Sequence, residues 1–371
     1  MDKTELENET YQDNVVETKE ETDEKCDDCG GAMDFDPSTG GLLCPFCGHK
    51  QQIIHQNGCS KAQELDFNSA EETGNCNWGS ETKTVICKSC GGESIYDALQ
   101  IAGECPYCGS NQVMEEKGKD TLAPSGVCPF KIDKKLAGLN FFHWIKHKLF
   151  CPKEAKQKAK PDAFKGIYVP YWTFDTKTTS EYTARYGKNR EEAIGDGKTK
   201  TVTDWNSTKG IYTETLNDQA VIGTANHPAY LFESIEPFDT ENNVEYKPEY
   251  LAGFISERYS IGLKEAWENA KSIIRKLLSK KITDKIKSQH FADRVDSLNF
   301  QTIHENITYK YLLLPVWISS FKYKRKTYQF MVNGQTGKVG GKTPVSALRV
   351  TFAILIGLAF VIGIYLLGAH G

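Results

Sequence analysis

YVPYWTFDTKTTSEYTARYG (Tyr168–Gly187) and LLPVWISSFKYKRKTYQFMVNG (Leu313–Gly334) each set Pro-x-Trp in an apolar run, followed by a polar turn and a strand of alternating aromatics. Pro170 matches Pro315 and Trp172 matches Trp317 at a common offset of 145 residues. β-branched and aromatic residues between Gly, Asn and Asp punctuation predict strands. Two readings stay open: two related β units inside one α+β domain, or two aromatic hairpins that agree by coincidence.

Around these runs the chain is mixed. TKTVTDW and GIYTETL continue the β signal. Asp133 is placed to cap a helix through about Phe150, with Leu139, Phe142, Ile145 and Leu149 on one stripe and Pro152 ending it. A second long helix is predicted over about Gly262 to Lys287, where Leu263, Ala266, Trp267, Ala270, Ile273, Ile274, Leu277 and Leu278 recur at helical spacing.

At 371 residues the chain is long enough for two or three units, and the formal charge of -4 argues against a phosphate-coated partner. The opening 1–25 is acidic and has no apolar core, so it reads as a disordered acidic arm rather than a signal peptide. That places the twelve cysteines in a reducing compartment, where metal binding is expected before disulfides.

Eight of them fall into a repeated pattern. CDDCGG at Cys26 recurs as CKSCGG at Cys87, and CPFCG at Cys44 recurs as CPYCG at Cys105. Each copy reads CxxC, fourteen residues, CxxC. Two such knuckles bring four thiolates to the corners of a tetrahedron, for which Zn2+ is the expected metal. The candidate ligands are Cys26, Cys29, Cys44 and Cys47 in one ribbon and Cys87, Cys90, Cys105 and Cys108 in the other. Gly30, Gly48, Gly91 and Gly109 supply the positive φ that turns backbone N–H groups toward sulfur. With no open coordination position both zinc ions are expected to be structural, each contributing on the order of 10 kcal/mol of folding free energy. Cys59, Cys76, Cys128 and Cys151 stand alone and read as small apolar residues.

Val350 to Ala369 carries no charged residue, the length and composition of a membrane span. Lys338, Lys342 and Arg349 precede it, which predicts a cytoplasmic N-terminal part. The lysine-rich stretch from Lys131 to Lys165 reads either as a solvated helix face or as a surface toward anionic lipid headgroups. Catalytic patterns fail: GGKTP at Gly340 lacks the first glycine of a P-loop, HEN at His304 lacks the second histidine of a zinc protease, and no GxSxG is present. The expected fold class is therefore α+β: two N-terminal four-cysteine zinc ribbons (26–50 and 83–115) joined by a spacer (51–82), a β-rich cytoplasmic domain with two long helices (121–345), and one C-terminal transmembrane helix (349–369).

CKSCGG with CPYCGS, APSGVCPFKI to FCPKEAK, GIYVPYWTFD and LLPVWISSFKYKRKTYQFMVNGQTGKVGG resemble a family of bacterial, mostly Gram-positive, membrane proteins labelled TFIIB-type zinc-ribbon proteins, sometimes primosomal-helicase-like. The resemblance covers most of the chain beyond Ser80. It implies protein partners of the SPFH-domain or phage-shock type in membrane-stress assemblies. The chain has no nucleotide-binding motif to match the helicase label. The function expected is a non-enzymatic, membrane-anchored adaptor, with a tethered nucleic-acid-binding regulator as the alternative.

Overall fold

The apolar runs around Pro170 and Pro315 become the two middle strands of one sheet. The computed structural model describes residues 25–54, 61–70, 82–87, 93–97, 113–116, 122–158, 164–195, 198–225 and 227–369; side chains at 82–87, 93–97, 113–116, 363 and 365–369 lie outside the described set. A small antiparallel sheet comprises β1 (Asp34–Asp36), β2 (Gly41–Leu43) and β3 (Lys50–Gln51). The large sheet is built from β4 (Leu65–Asp66), β5 (Thr82–Cys87), β6 (Glu93–Asp97), β7 (Val113–Glu116), β8 (Gly126–Val127), β9 (Lys165–Gly195), β10 (Lys198–Ile222), β11 (Val244–Glu245), β12 (Ile255–Ser256), β13 (Arg294–Tyr323), β14 (Lys326–Asn333) and β15 (Val339–Gly341). The helices are α1 (Lys134–Lys146), α2 (Lys153–Lys158), α3 (Ala229–Ile235), α4 (Leu263–His290) and α5 (Ala347–Ala369).

β9 and β13 run antiparallel through the centre, with Val169 opposite Leu314, Tyr168 opposite Pro315 and Pro170 opposite Leu313. This register relates the two motifs by a two-fold axis through Val169 and Leu314. Everything nearby obeys the same symmetry. β12 pairs in parallel with β9 at Ile167 and Tyr168, and β8 pairs in parallel with β13 at Leu312 and Leu313. β10 takes over beside β9 from Tyr171, and β14 takes over beside β13 from Val316. Each proline thus stands where the outer partner changes, so its missing N–H removes no ladder bond. The two-unit reading of the sequence echo is the correct one.

The indoles tie the halves together. Trp172 Nε1 donates to Ile261 O at 2.9 Å, one residue before Gly262, the N-cap of α4. Trp317 Nε1 donates to Ile132 O at 2.8 Å, one residue before Asp133, the N-cap of α1. Glycines sit at the two equivalent crossings: Gly223 N donates to Pro170 O at 2.8 Å and Gly334 N donates to Pro315 O at 2.9 Å. A Cβ on Gly334 would come within 2.7 Å of Phe130 and Pro315, a contact no side chain tolerates.

Because the middle strands are covered on both faces, they read as continuous apolar runs rather than alternating ones. α1, α4 and the β1–β3 knuckle bury Tyr168, Trp172, Leu313 and Trp317 on one face, and α3 buries Ile167, Tyr171, Leu312 and Leu314 on the other. Beyond the centre, β9, β10 and the first half of β13 continue as a three-stranded arm. α4 lies along one face of it, with Ala270, Ile274, Leu278, Ile282 and Ile286 buried toward Tyr182, Ala184 and Phe300. The polar residues after Phe174, expected to form a turn, are continuous strand, and the irregularity falls instead on bulges in the neighbours at 216–219 and 305–308.

Two expectations require correction. In α1 the buried face is Ala137, Phe141 and Ile145, while Leu139 and Phe142 are exposed and the helix stops at Lys146. Among the described residues, moreover, no helix is long and apolar enough to cross a membrane. This overturns the transmembrane helix expected over 349–369 and the single-pass placement with a cytoplasmic N-terminal domain. The first turn of α5 is docked on the domain, with Ser346 N donating to Phe150 O at 2.9 Å and Arg349 Nη1 donating to Leu149 O and Cys151 O at 2.8 Å.

The segment after the knuckle is stapled to the domain. β4 pairs with β13 at Thr308 and Tyr309, and Phe67 packs on Phe174 and Trp267. Lys310 Nζ sits 2.7 Å from Asp218 Oδ1 and 3.2 Å from Glu64 Oε1, while Asp218 N donates to Asp175 Oδ1 at 2.5 Å. Burial is the main cause that raises Asp175 to about 6; the Asp218 N–H opposes it and Glu64 adds to it. The folded chain therefore holds this proton more tightly than the unfolded one. The resulting stability is full below about pH 4 and is lost as pH rises through about 6. Asp175→Asn should match the wild type in urea unfolding below about pH 4 and exceed it by about 1 kcal/mol at pH 7, a figure discounted for a partly exposed site. A less stable variant at pH 7 would contradict this.

Candidate metal centre

Each knuckle closes through its backbone before any metal is considered. Cys26 N donates to Gly31 O and Gly30 N to Cys26 O, both at 2.8 Å; Cys44 N donates to His49 O at 2.8 Å and Gly48 N to Cys44 O at 3.0 Å. These turns need left-handed residues, and Gly30 (φ 70°) and Gly48 (φ 79°) supply them, as the spacing predicts. Gly91 and Gly109 lie outside the described residues.

The four sulfurs of Cys26, Cys29, Cys44 and Cys47 lie within 4.8 Å of one another. Cys26 Sγ is 3.5 Å from Cys47 Sγ and Cys29 Sγ is 3.5 Å from Cys44 Sγ, close to the edge of about 3.8 Å that four thiolates make around one ion at 2.3 Å. The residues therefore fit a tetrahedral thiolate-bound metal. Backbone N–H groups are aimed at the sulfurs. The N–H of Cys47, joined by that of Phe46, overcomes burial to bring the Cys44 thiol down to about 6. At Cys47 the His49 N–H pulls downward, but burial and the neighbouring thiols raise it to about 12. One sulfur of the set is thus prepared as thiolate, and a cation would draw the remaining protons off. His49 Nδ1 lies 2.6 Å from Asp28 Oδ2, linking the two knuckles from outside.

The centre is rooted in the domain rather than hung from it. Cys26 and Cys44 are buried with Met33, Phe35 and Leu42. Phe35 N donates to Ala252 O at 3.0 Å, and its ring packs 5.5 Å from Tyr250 and 6.3 Å from Phe254. Gly253 has φ 78°, a backbone conformation that favours glycine, and a Cβ there would also come within 2.6 Å of Asp34 Oδ1.

The second expected ligand set falls differently. Cys87 ends β5 with its side chain outside the described set, and Cys90, Cys105 and Cys108 lie outside the described residues, as do Cys59 and Cys76. Cys128 and Cys151 are buried free thiols, each raised chiefly by burial. Glu257, which no sequence pattern singled out, is fully buried. It accepts from Thr224 Oγ1 at 2.5 Å and lies 3.3 Å from His227 Nε2. It occupies the repeat position of Cys128: Glu257 N donates to Tyr168 O and Cys128 N to Leu313 O, both at 2.9 Å.

Fold and site together define a β-rich α+β protein that carries, on a duplicated core, a four-cysteine knuckle close enough to hold a metal ion. The uncharacterized protein YdjG of Bacillus subtilis (strain 168) is 30% identical over 326 residues, which span 88% of this chain and 91% of that protein. The chain belongs to the family of that protein. No family model matches the chain, and no solved structure matches it.

Cobalt titration of metal-stripped protein tests the centre. In a Cys87→Ser/Cys90→Ser background, one equivalent should give the absorption of tetrahedral cobalt thiolate, and Cys44→Ser should abolish that absorption. A spectrum that survives Cys44→Ser would contradict the ligand set.

Proposed function

We propose that the chain is a non-enzymatic adaptor whose knuckle is held by a structural zinc ion and whose arm docks protein partners. Zinc suits four thiolates, and with all four positions filled the ion has no site for a water or substrate. Its work is to fix β1–β3 against Tyr250 and Phe254.

The observation that carries docking is the uncovered face of the arm. α4 covers one side of β9, β10 and β13; the other presents Ile211, Ile303 and Trp205, which are 57%, 66% and 36% exposed. Arg185 lies over the Trp205 ring at 5.3 Å. A depression of about 540 Å³ on the arm is lined by Glu181, Lys209, Ile211 and Gln301 among others. Isolated apolar and aromatic side chains with an arginine, set among polar neighbours, match the composition of protein–protein contact surfaces. The membrane-stress partners implied by resemblance would be proteins of this kind.

Crosslinking in living cells, read by mass spectrometry, separates this reading from a nucleic-acid regulator. Wild type should yield defined protein partners that are lost from Ile211→Glu/Ile303→Lys. The same proteins on both chains, or nucleic acid as the species lost, would contradict it.

A further inference from the structure

The tip joining β13 to β14 breaks a local rule. Its central residues, Lys324 and Arg325, have φ of 47° and 66°. A two-residue hairpin with both values positive is normally made with Asn-Gly, which adopts them at little cost. Here two long cationic side chains carry the strain instead. Strain of this kind persists where the surrounding structure enforces it, and it concentrates at ligand sites.

This tip walls a cleft of about 620 Å³. The opposite walls are the start of α2 and the entry to α5, so three separate parts of the chain converge there. Among the described residues, Lys153, Lys324, Lys326 and Arg349 line it against one carboxylate, Glu154. That carboxylate already accepts from Tyr323 Oη at 3.3 Å. Arg349 is fixed in place by its two bonds to the Leu149 and Cys151 carbonyls. Four cations gathered in one concavity repel one another unless an anion joins them, and the field they focus attracts one. Ammonium groups and a planar guanidinium fork suit phosphate oxygens in particular.

We propose that this cleft binds a phosphate-type anion, held by Lys153, Lys324, Lys326 and Arg349. The group is either free phosphate or the headgroup of a phospholipid, because exposed Val345 and Leu348 line the same cleft.

The full chain is tested with two probes: inorganic phosphate by titration calorimetry, and phosphatidylcholine vesicles with or without phosphatidylglycerol by flotation. Lys324→Gln/Lys326→Gln changes two exposed side chains of the cleft, and Lys134→Gln/Lys135→Gln changes two exposed side chains on α1. The cleft variant should weaken binding about thirtyfold, at about 1 kcal/mol per lysine, while the α1 variant and the charge-keeping Lys324→Arg/Lys326→Arg bind as wild type. Binding of inorganic phosphate identifies a free source. A preference confined to phosphatidylglycerol vesicles identifies a lipid headgroup. No binding of either probe, or equal losses in the cleft and α1 variants, would overturn the proposal.

Discussion

The antiparallel crossing of β9 and β13 at Val169 and Leu314 is the constraint on which the remaining structure depends. Its two-fold symmetry fixes where each proline can stand, which short strand lies outside it and which hairpin follows. Each indole then reaches across to the turn before a helix, Trp172 to Ile261 and Trp317 to Ile132. In chain order, the strand and helix of one repeat (β8 and α1) lie against the hairpin of the other (β13 and β14), and the reverse holds for β12 and α4. Neither repeat can bury its own strand without its neighbour, so the two halves must form as one core.

The metal centre inherits its position from that crossing. Tyr250 and Phe254, against which Phe35 packs, lead directly into β12, which pairs with β9 at the two-fold centre. A displacement of the knuckle is therefore felt two residues from the axis. On the other side, Glu64, Asp175, Asp218 and Lys310 pin the following segment where the arm begins. Knuckle, core and arm form a continuous path from the metal site to the uncovered face proposed to bind partners.

The clustering of Cys26, Cys29, Cys44 and Cys47 was legible in the sequence because it is local: cysteine spacing and a glycine after each pair dictate the geometry of a single turn. The cap at Asp133 was legible for the same reason. The Pro-x-Trp echo pointed to the duplication, but its exchange of elements between halves was not legible, because it depends on pairing across 145 residues. The α1 stripe misled: Leu139 and Phe142 satisfy helical spacing as well as Phe141 does, and only the tertiary partner decides which face is buried. Apolar composition after Val350 suggested a membrane span, whereas among the described residues no helix is long and apolar enough to cross a membrane. Glu257 carried no local signal at all.

Hydrogen exchange of the two indole N–H groups, followed by NMR, tests the central claim most directly. Both protons should exchange slowly and with the same protection, set by global unfolding, because each lies in the single core that the crossing creates. Fast exchange at either indole, or protection that differs widely between Trp172 and Trp317, would show that the halves open separately and would contradict the cross-clasped duplication.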